Sequence, residues 1–148
     1  MIREVVVRYS PSSIPVASIL GRMTSSRDIY MAFREEMLAF PVEVFRVLFL
    51  DTKNVPIAFE DVSRGCLNNS VAHPREVFWS AVYHRAAAII VMHNHPSGDC
   101  APSAEDRACT VRLVKAGKIL GIRVLDHVVF GLNDYYSFAD AVQLEVDP

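Results

Sequence analysis

The spacing of the apolar positions divides the chain into two parts. Apolar side chains recur at helical intervals over about Ser26–Phe40, which predicts a helix that Pro41 ends. Nearer the start, Val5–Tyr9 has the composition of a short strand. We therefore expect residues 1–41 to form an N-terminal arm, a strand plus a helix, that packs on a domain formed by residues 42–148.

The second part opens with two apolar segments joined by a polar turn. Val44–Leu50 is too continuously apolar for a strand that has one face in water, and residues 51–54 supply a turn into Val55–Val62. The pattern predicts a hairpin.

Helices and strands then alternate. The predicted elements are helices over about Pro74–Arg85 and Ser103–Ala116, the second closing at Gly117, and strands over Ala86–Met92 and Ile122–Phe130, after which residues 135–138 pack down. A hairpin followed by this alternation is typical of the α/β class, with a mixed sheet and helices on its faces.

Composition is that of one compact domain. The chain has 148 residues, a formal net charge of −2 and 51% hydrophobic residues. A chain of this length buries roughly two thirds of its unfolded surface, so a core can form without disulfides or a structural metal. Nearly balanced charge gives no general attraction to DNA or to anionic membranes.

Cysteine usage and hydropathy indicate the compartment. The three cysteines, Cys66, Cys100 and Cys109, show no disulfide or CxxC pattern, which favours free thiols. Neither a signal peptide nor an apolar stretch long enough to span a membrane is evident. We expect a cytoplasmic protein without a membrane partner.

Candidate chemistry lies where the apolar strand Ala86–Met92 ends. His93 and His95 follow it, and residues two apart on a strand project to the same side, so both imidazoles can point at one position while Asn94 faces away. This spacing is typical of a pair of metal ligands.

A serine and an aspartate follow at helical spacing. Ser103 and Asp106 lie three residues apart in a first helical turn, which lets Asp106 approach the imidazoles. Two neutral histidines and one carboxylate leave a fourth tetrahedral position for water, the composition of a catalytic zinc site. Zinc would lower the pKa of that water toward about 7. The same Ser-x-x-Asp spacing is also that of a helix capping box.

Such a site needs a proton carrier, and two glutamates are candidates. Glu43 precedes the first core strand, and Glu76 lies in the first turn of the helix after Pro74. Spacing alone leaves both open.

Together these residues resemble a known motif. Glu43, His93-x-His95 and Ser103-x-x-Asp106 are similar to the JAMM (MPN+) metalloprotease motif, a zinc hydrolase signature. The more specific resemblance is to its bacterial RadC-like branch, through Gly65-Cys66-Leu67-Asn68, residues 73–78, 93–99 and 102–106, and Asp126-His127.

The resemblance implies a fold and a set of roles. The fold is a cytidine-deaminase-like α/β/α sandwich with a mixed central sheet flanked by helices, the JAB/MPN domain. His93, His95 and Asp106 would hold Zn²⁺, Glu43 would be the general base for the zinc-bound water, and Ser103 would donate to the oxyanion. The implied reaction is hydrolysis of a peptide or isopeptide amide.

Two features of the family are absent from the pattern. RadC-like chains carry an N-terminal helix-hairpin-helix region associated with DNA contact, and the residues before Pro41 lack its glycine-rich hairpins. The chain also has little room for the insertion loops with which some JAMM enzymes grip ubiquitin. A peptide or protein substrate is therefore the expected partner, with weaker support for DNA.

Two alternatives stay open. The first is a non-catalytic DNA- or protein-binding factor of DNA metabolism in which the zinc is structural. The second, a metal-dependent phosphodiesterase, is less favoured because the motif offers one metal site and such enzymes often use two ions.

Overall fold

A computed structural model describes residues 1–11, 25–65 and 72–144. The elements, in chain order, are α1 (Ser26–Ala39), β1 (Val44–Leu50), β2 (Pro56–Arg64), α2 (Pro74–Tyr83), β3 (Ala88–Asn94), α3 (Ala104–Leu120), β4 (Arg123–Phe130) and β5 (Tyr135–Ser137). The strands form a mixed sheet in the order β2-β1-β3-β4-β5, in which β3 and β4 are parallel and the other neighbours are antiparallel.

The sheet separates two hydrophobic cores. On one face α1 buries Ile29, Phe33 and Met37 against even-numbered residues of β1, β3 and β4. On the other face α2 and α3 pack on odd-numbered residues of β1 and β3. The predicted sheet with helices on both faces is confirmed.

The strands β1 and β3 are central, and this explains their composition. Every residue of both strands is buried, because each lies between two other strands and carries a helix layer on each face. The predicted hairpin is confirmed as the antiparallel pair β1 and β2. The tail also packs down as predicted, with β5 paired to β4 and Phe138 buried.

The helix α3 is longer than its sequence pattern predicts. Gly117 does not end it, because the helix continues to Leu120 and Gly121, with φ 71°, forms the cap. Gly117 instead allows a close approach, since a Cβ at that position would lie 2.4 Å from the carbonyl oxygen of Ile122. A glycine that permits close contact and a glycine that ends a helix look alike in sequence.

Other boundaries also differ from prediction. The strand expected over Val5–Tyr9 is not formed, since residues 1–11 contain no helix or strand. β3 starts at Ala88 and runs two residues beyond Met92, and α2 ends at Tyr83. The division at residue 41 stays a prediction, although α1 shares its core with the sheet.

No helix among the described residues combines the length and hydropathy that a membrane span requires.

Candidate metal centre

The centre lies where the end of β3 meets the start of α3. His93 is on β3 and points toward α3, whereas the side chain of Asn94 points to β1. There its Oδ1 accepts a hydrogen bond from Val44 N at 2.8 Å, and its Nδ2 donates to Val42 O at 3.0 Å. These two hydrogen bonds anchor the end of β3 to the start of β1, so the backbone that carries His93 and His95 is held in place.

Three predicted ligands come together here. The Nε2 atoms of His93 and His95 are 3.0 Å apart. Asp106 places Oδ1 3.2 Å from His93 Nε2 and Oδ2 3.2 Å from His95 Nε2. His93 and Asp106 are buried and His95 is partly exposed, so the group is open to solvent on the His95 side.

Hydrogen bonds hold His95 with its Nε2 toward the other two side chains. Its Nδ1 lies 2.7 Å from the carbonyl oxygen of Asp99, which can only accept, so Nδ1 carries the hydrogen. Neutral His95 therefore has an unprotonated Nε2. Its hydrogen bond with Asp106 raises the pKa of His95, against the opposing effect of burial.

The carboxylate of Asp106 is strongly held in its charged form. Burial by itself raises the pKa of Asp106, but hydrogen bonds from His93 and His95 outweigh it and hold that pKa far below the usual range. The backbone N–H of Ser103 also donates to Asp106 Oδ2, at 2.8 Å. A charged carboxylate is the form that binds a metal.

The donor set fits a metal ion. Two imidazole nitrogens and the carboxylate of Asp106 face one another at 3.0–3.2 Å, and these atoms need a shared positive charge, either protons on the imidazoles or a metal ion, to lie so close together. Ligand atoms placed tetrahedrally around zinc are about 3.3 Å apart, given bond lengths of about 2.0–2.1 Å. The observed separations are close to that value.

Of the two candidate bases, Glu43 is the nearer to this group. Its negative charge contributes to the raised pKa of His95, and Glu76 makes no such contribution. Continuing the register of β1 and β3 beyond the Phe45 and His93 pair places Glu43 opposite His95. Glu76 instead lies 3.5 Å from Arg75 Nε in an exposed ion pair on α2.

Ser103 is the N-cap of α3. Its hydroxyl oxygen accepts from Asp106 N at 3.1 Å, and the Asp106 carboxylate accepts from Ser103 N, which makes a complete capping box. The capping interpretation of the Ser-x-x-Asp spacing is therefore confirmed. Ser103 is exposed, so its hydroxyl hydrogen can still be directed outward to a bound molecule.

The neighbouring side chains of Asp126 and His127 point to opposite sides of β4. Asp126 accepts from its neighbour's backbone N–H at 2.7 Å and from the Ser137 hydroxyl at 2.6 Å, toward β5. The His127 ring lies on the opposite side, with Nε2 2.8 Å from His93 Nδ1. Burial lowers the pKa of His127 well below its ordinary value, so the ring is neutral.

One contact in this region has no counterpart in the sequence prediction. The hydroxyl of Thr110 lies 2.6 Å from His127 Nδ1 and donates to the carbonyl oxygen of Asp106 at 2.7 Å. The signal that could have found it is helical spacing, because Thr110 lies one turn after Asp106 on the same face of α3. Cys66, Leu67 and Asn68 of the resembling segments lie outside the described residues.

Fold and site together define a mixed α/β domain with a His-His-Asp group that could hold a metal. A family model described as the RadC-like JAB domain matches residues 23–144. The chain belongs to this family. The match includes α1 and the strands and helices that carry the candidate metal centre.

Several relatives are similar over most of the chain. A UPF0758 protein of Pelobacter propionicus is 51% identical over 121 residues, covering 82% of this chain and 53% of the relative. UPF0758 proteins of Alkaliphilus metalliredigens and Trichlorobacter lovleyi are 50% and 49% identical, covering 80% and 82% of this chain and 51% and 53% of theirs. The chain thus spans about half the length of the curated relatives it matches, and their names state no activity.

Proposed function

We propose that the protein is a zinc-dependent hydrolase that cleaves peptide or isopeptide amide bonds. The observation that carries the proposal is the convergence of His93, His95 and Asp106, whose Nε2 atoms and carboxylate oxygens approach one another to 3.0–3.2 Å. The partly exposed side of His95 leaves room for water and a substrate carbonyl, as a catalytic site requires.

His93, His95 and Asp106 would hold the ion. Zinc bound there would polarise a carbonyl oxygen and lower the pKa of a coordinated water toward about 7. The three side chains contribute one negative charge in total, so zinc bound by them would keep part of its positive charge available to attract a carbonyl oxygen or a water.

Glu43 is the proposed general base. Its carboxylate lies at the start of β1, on the His95 side of the group, where it can take a proton from the attacking water. The same carboxyl group can then give that proton to the nitrogen of the leaving amine. Ser103, exposed at the N-terminus of α3, would donate its hydroxyl hydrogen to the oxygen that becomes negative.

The test is hydrolysis of a broad set of peptides and isopeptide-linked peptides by the zinc-loaded protein, followed by mass spectrometry. Glu43→Gln removes the base, so we expect turnover to fall by roughly 10²–10⁴-fold with zinc content unchanged. Glu76→Gln is the matched control, because Glu76 is paired with Arg75 on the surface, and it should keep wild-type turnover.

Two results would oppose the proposal. If no substrate is cleaved in a manner that needs both zinc and Glu43, the activity proposed here is wrong, and a non-catalytic binding role becomes the better account. Equal loss in Glu43→Gln and Glu76→Gln would show that Glu43 has no special part in the reaction.

A further inference from the structure

A set of three consecutive buried hydrogen bonds connects two of the three proposed ligands, starting from the Nδ1 atom of His93. His93 Nδ1 lies 2.8 Å from His127 Nε2, and His127 Nδ1 lies 2.6 Å from Thr110 Oγ1. The Thr110 hydroxyl is 2.7 Å from the carbonyl oxygen of Asp106, one turn back along α3. The set therefore begins at one proposed ligand and ends on the backbone of another.

The carbonyl oxygen of Asp106, at the end of the set, determines the direction of the hydrogen bonds before it. A carbonyl oxygen can only accept, so the Thr110 hydroxyl donates its single hydrogen to Asp106 O. Because that hydrogen is used, Thr110 Oγ1 must accept a hydrogen bond from His127 Nδ1–H. His93 has to keep Nε2 unprotonated to bind a metal, so its own hydrogen is on Nδ1. That hydrogen is donated to His127 Nε2, and every donor then meets an acceptor.

Packing leaves these rings little freedom to reorient. The ring of Phe45 stacks on His93 at 5.9 Å between centroids and 14° between planes, and Phe138 stacks on His127 at 4.9 Å and 11°. His93, His127 and Thr110 are at most 1% exposed, so bulk water has no access to replace a lost partner. Reorientation of either ring would therefore break a buried hydrogen bond that water cannot replace.

We infer that His127 and Thr110 are positioning residues that keep His93 in its Nδ1–H tautomer, with Nε2 directed at the metal. The inference rests on the metal site of the proposed function and needs no assumption about the substrate. Because the set ends on Asp106 O, it also fixes the first turn of α3 relative to β3. Positioning partners of this kind commonly change metal affinity by about 10–100-fold.

Substitutions at Thr110 separate the hydrogen bonds from the packing. Thr110→Val has nearly the same shape and removes the hydroxyl, whereas Thr110→Ser retains it. Ser80→Ala is the matched control, because it deletes another buried hydroxyl, on α2 and outside the set. His127→Leu is a second disrupting variant. Circular dichroism of each metal-free protein establishes that it is folded.

The readouts are zinc affinity, by competition with a chelator, and the imidazole nitrogen spectrum of the ¹⁵N-histidine-labelled, metal-free protein, in which no metal fixes the tautomer. We expect Thr110→Val to weaken zinc binding by about 10–100-fold and to lose the slowly exchanging Nδ1–H signal of His93. Thr110→Ser and Ser80→Ala should remain close to wild type in both measurements.

Opposite results identify which claim fails. Wild-type affinity together with an intact Nδ1–H signal in Thr110→Val would overturn the inference and leave the proposed hydrolase unaffected. Equal weakening by Thr110→Val and Ser80→Ala would overturn it as well, since the effect would be one of general stability. A wild-type protein that binds no zinc would overturn the metal site and the inference together.

Discussion

At the scale of the residue, two of the described helices, α1 and α3, begin with the same capping motif, and the candidate chemistry lies at α3. Ser25 and Asp28 form a capping box at α1, with Ser25 N donating to Asp28 Oδ2 at 3.0 Å and Asp28 N donating to Ser25 Oγ at 3.2 Å. Ser103 and Asp106 form the same box at α3. The difference is that the carboxylate of Asp106 also faces His93 and His95. Asp106 therefore caps α3 and is also a candidate metal ligand.

Substituting the capping serine of each motif distinguishes an effect on stability from an effect on catalysis. Ser103→Ala and Ser25→Ala each remove an N-cap hydroxyl, so each should lower the free energy of unfolding by about 1 kcal/mol. Only Ser103→Ala should also lower turnover, by roughly 10²–10³-fold, because it alone removes an oxyanion donor. Denaturant unfolding and initial rates measure the two effects. Equal turnover in both variants would limit Ser103 to capping.

At the scale of the element, one buried arginine of β1 connects this strand to the helix α1 and to the strand β2. Arg46 is 1% exposed, and its guanidinium lies 2.7 Å from Glu36 Oε2 on α1 and 2.6 Å from Asp61 Oδ1 on β2. It also stacks 4.3 Å from the ring centre of Phe59. Two carboxylates thus pair with one buried guanidinium, and β1 is held in position two residues beyond Val44, close to Glu43.

Acid should weaken this connection. Burial tends to raise the pKa of Asp61, but hydrogen bonding and charge attraction from Arg46 exceed that effect, so its pKa in the folded protein lies below the ordinary 3.8. A lowered folded pKa means that the stabilisation is complete above the unfolded pKa and is lost as pH falls below it. Unfolding free energy of the wild type should therefore decrease below about pH 4.

Asp61→Asn tests the assignment. It should cost roughly 1–3 kcal/mol at neutral pH, because a buried charge loses one of its partners. It should also flatten the dependence of unfolding free energy on pH below about 4. Urea denaturation at a series of pH values measures both quantities. An unchanged acid slope in Asp61→Asn would assign the acid sensitivity to other carboxyl groups.

Element boundaries show what local pattern can and cannot predict. Helix periodicity identified α1, α2 and α3, and apolar composition identified β1 and β3, because burial on one or both faces determines those patterns. The end of α3 was misplaced at Gly117, since its close contact with Ile122 O depends on the chain that follows. The Val5–Tyr9 strand was wrong because strand composition alone supplies no neighbouring strand.

At the scale of the whole molecule, the candidate centre is assembled from distant parts of the chain. The start of β1 brings Glu43, the end of β3 brings the two histidines, and the start of α3 brings Ser103 and Asp106. Short spacings made His93-x-His95 and Ser103-x-x-Asp106 recognisable in sequence. The contact of His93 with the buried His127, which in turn contacts Thr110, depends on the parallel register of β3 and β4, which no local spacing reveals.

Neither hydrophobic core of the molecule includes the proposed metal site. Both cores consist of apolar side chains, and neither contains His93, His95 or Asp106. We therefore expect the metal-free protein to be folded. Asp106→Asn should fold as well, because its amide oxygen can still accept from Ser103 N in the capping box.

The most direct test of the central claim is the zinc content per chain of the wild type and of Asp106→Asn, after reconstitution near neutral pH and removal of free metal. A histidine binds a metal through an unprotonated nitrogen, so strongly acidic conditions are avoided. We predict about one zinc ion per wild-type chain, and loss or marked weakening of binding in Asp106→Asn, which has lost the anionic ligand. A wild-type protein without zinc, or equal zinc content in the two proteins, would contradict the three-ligand site.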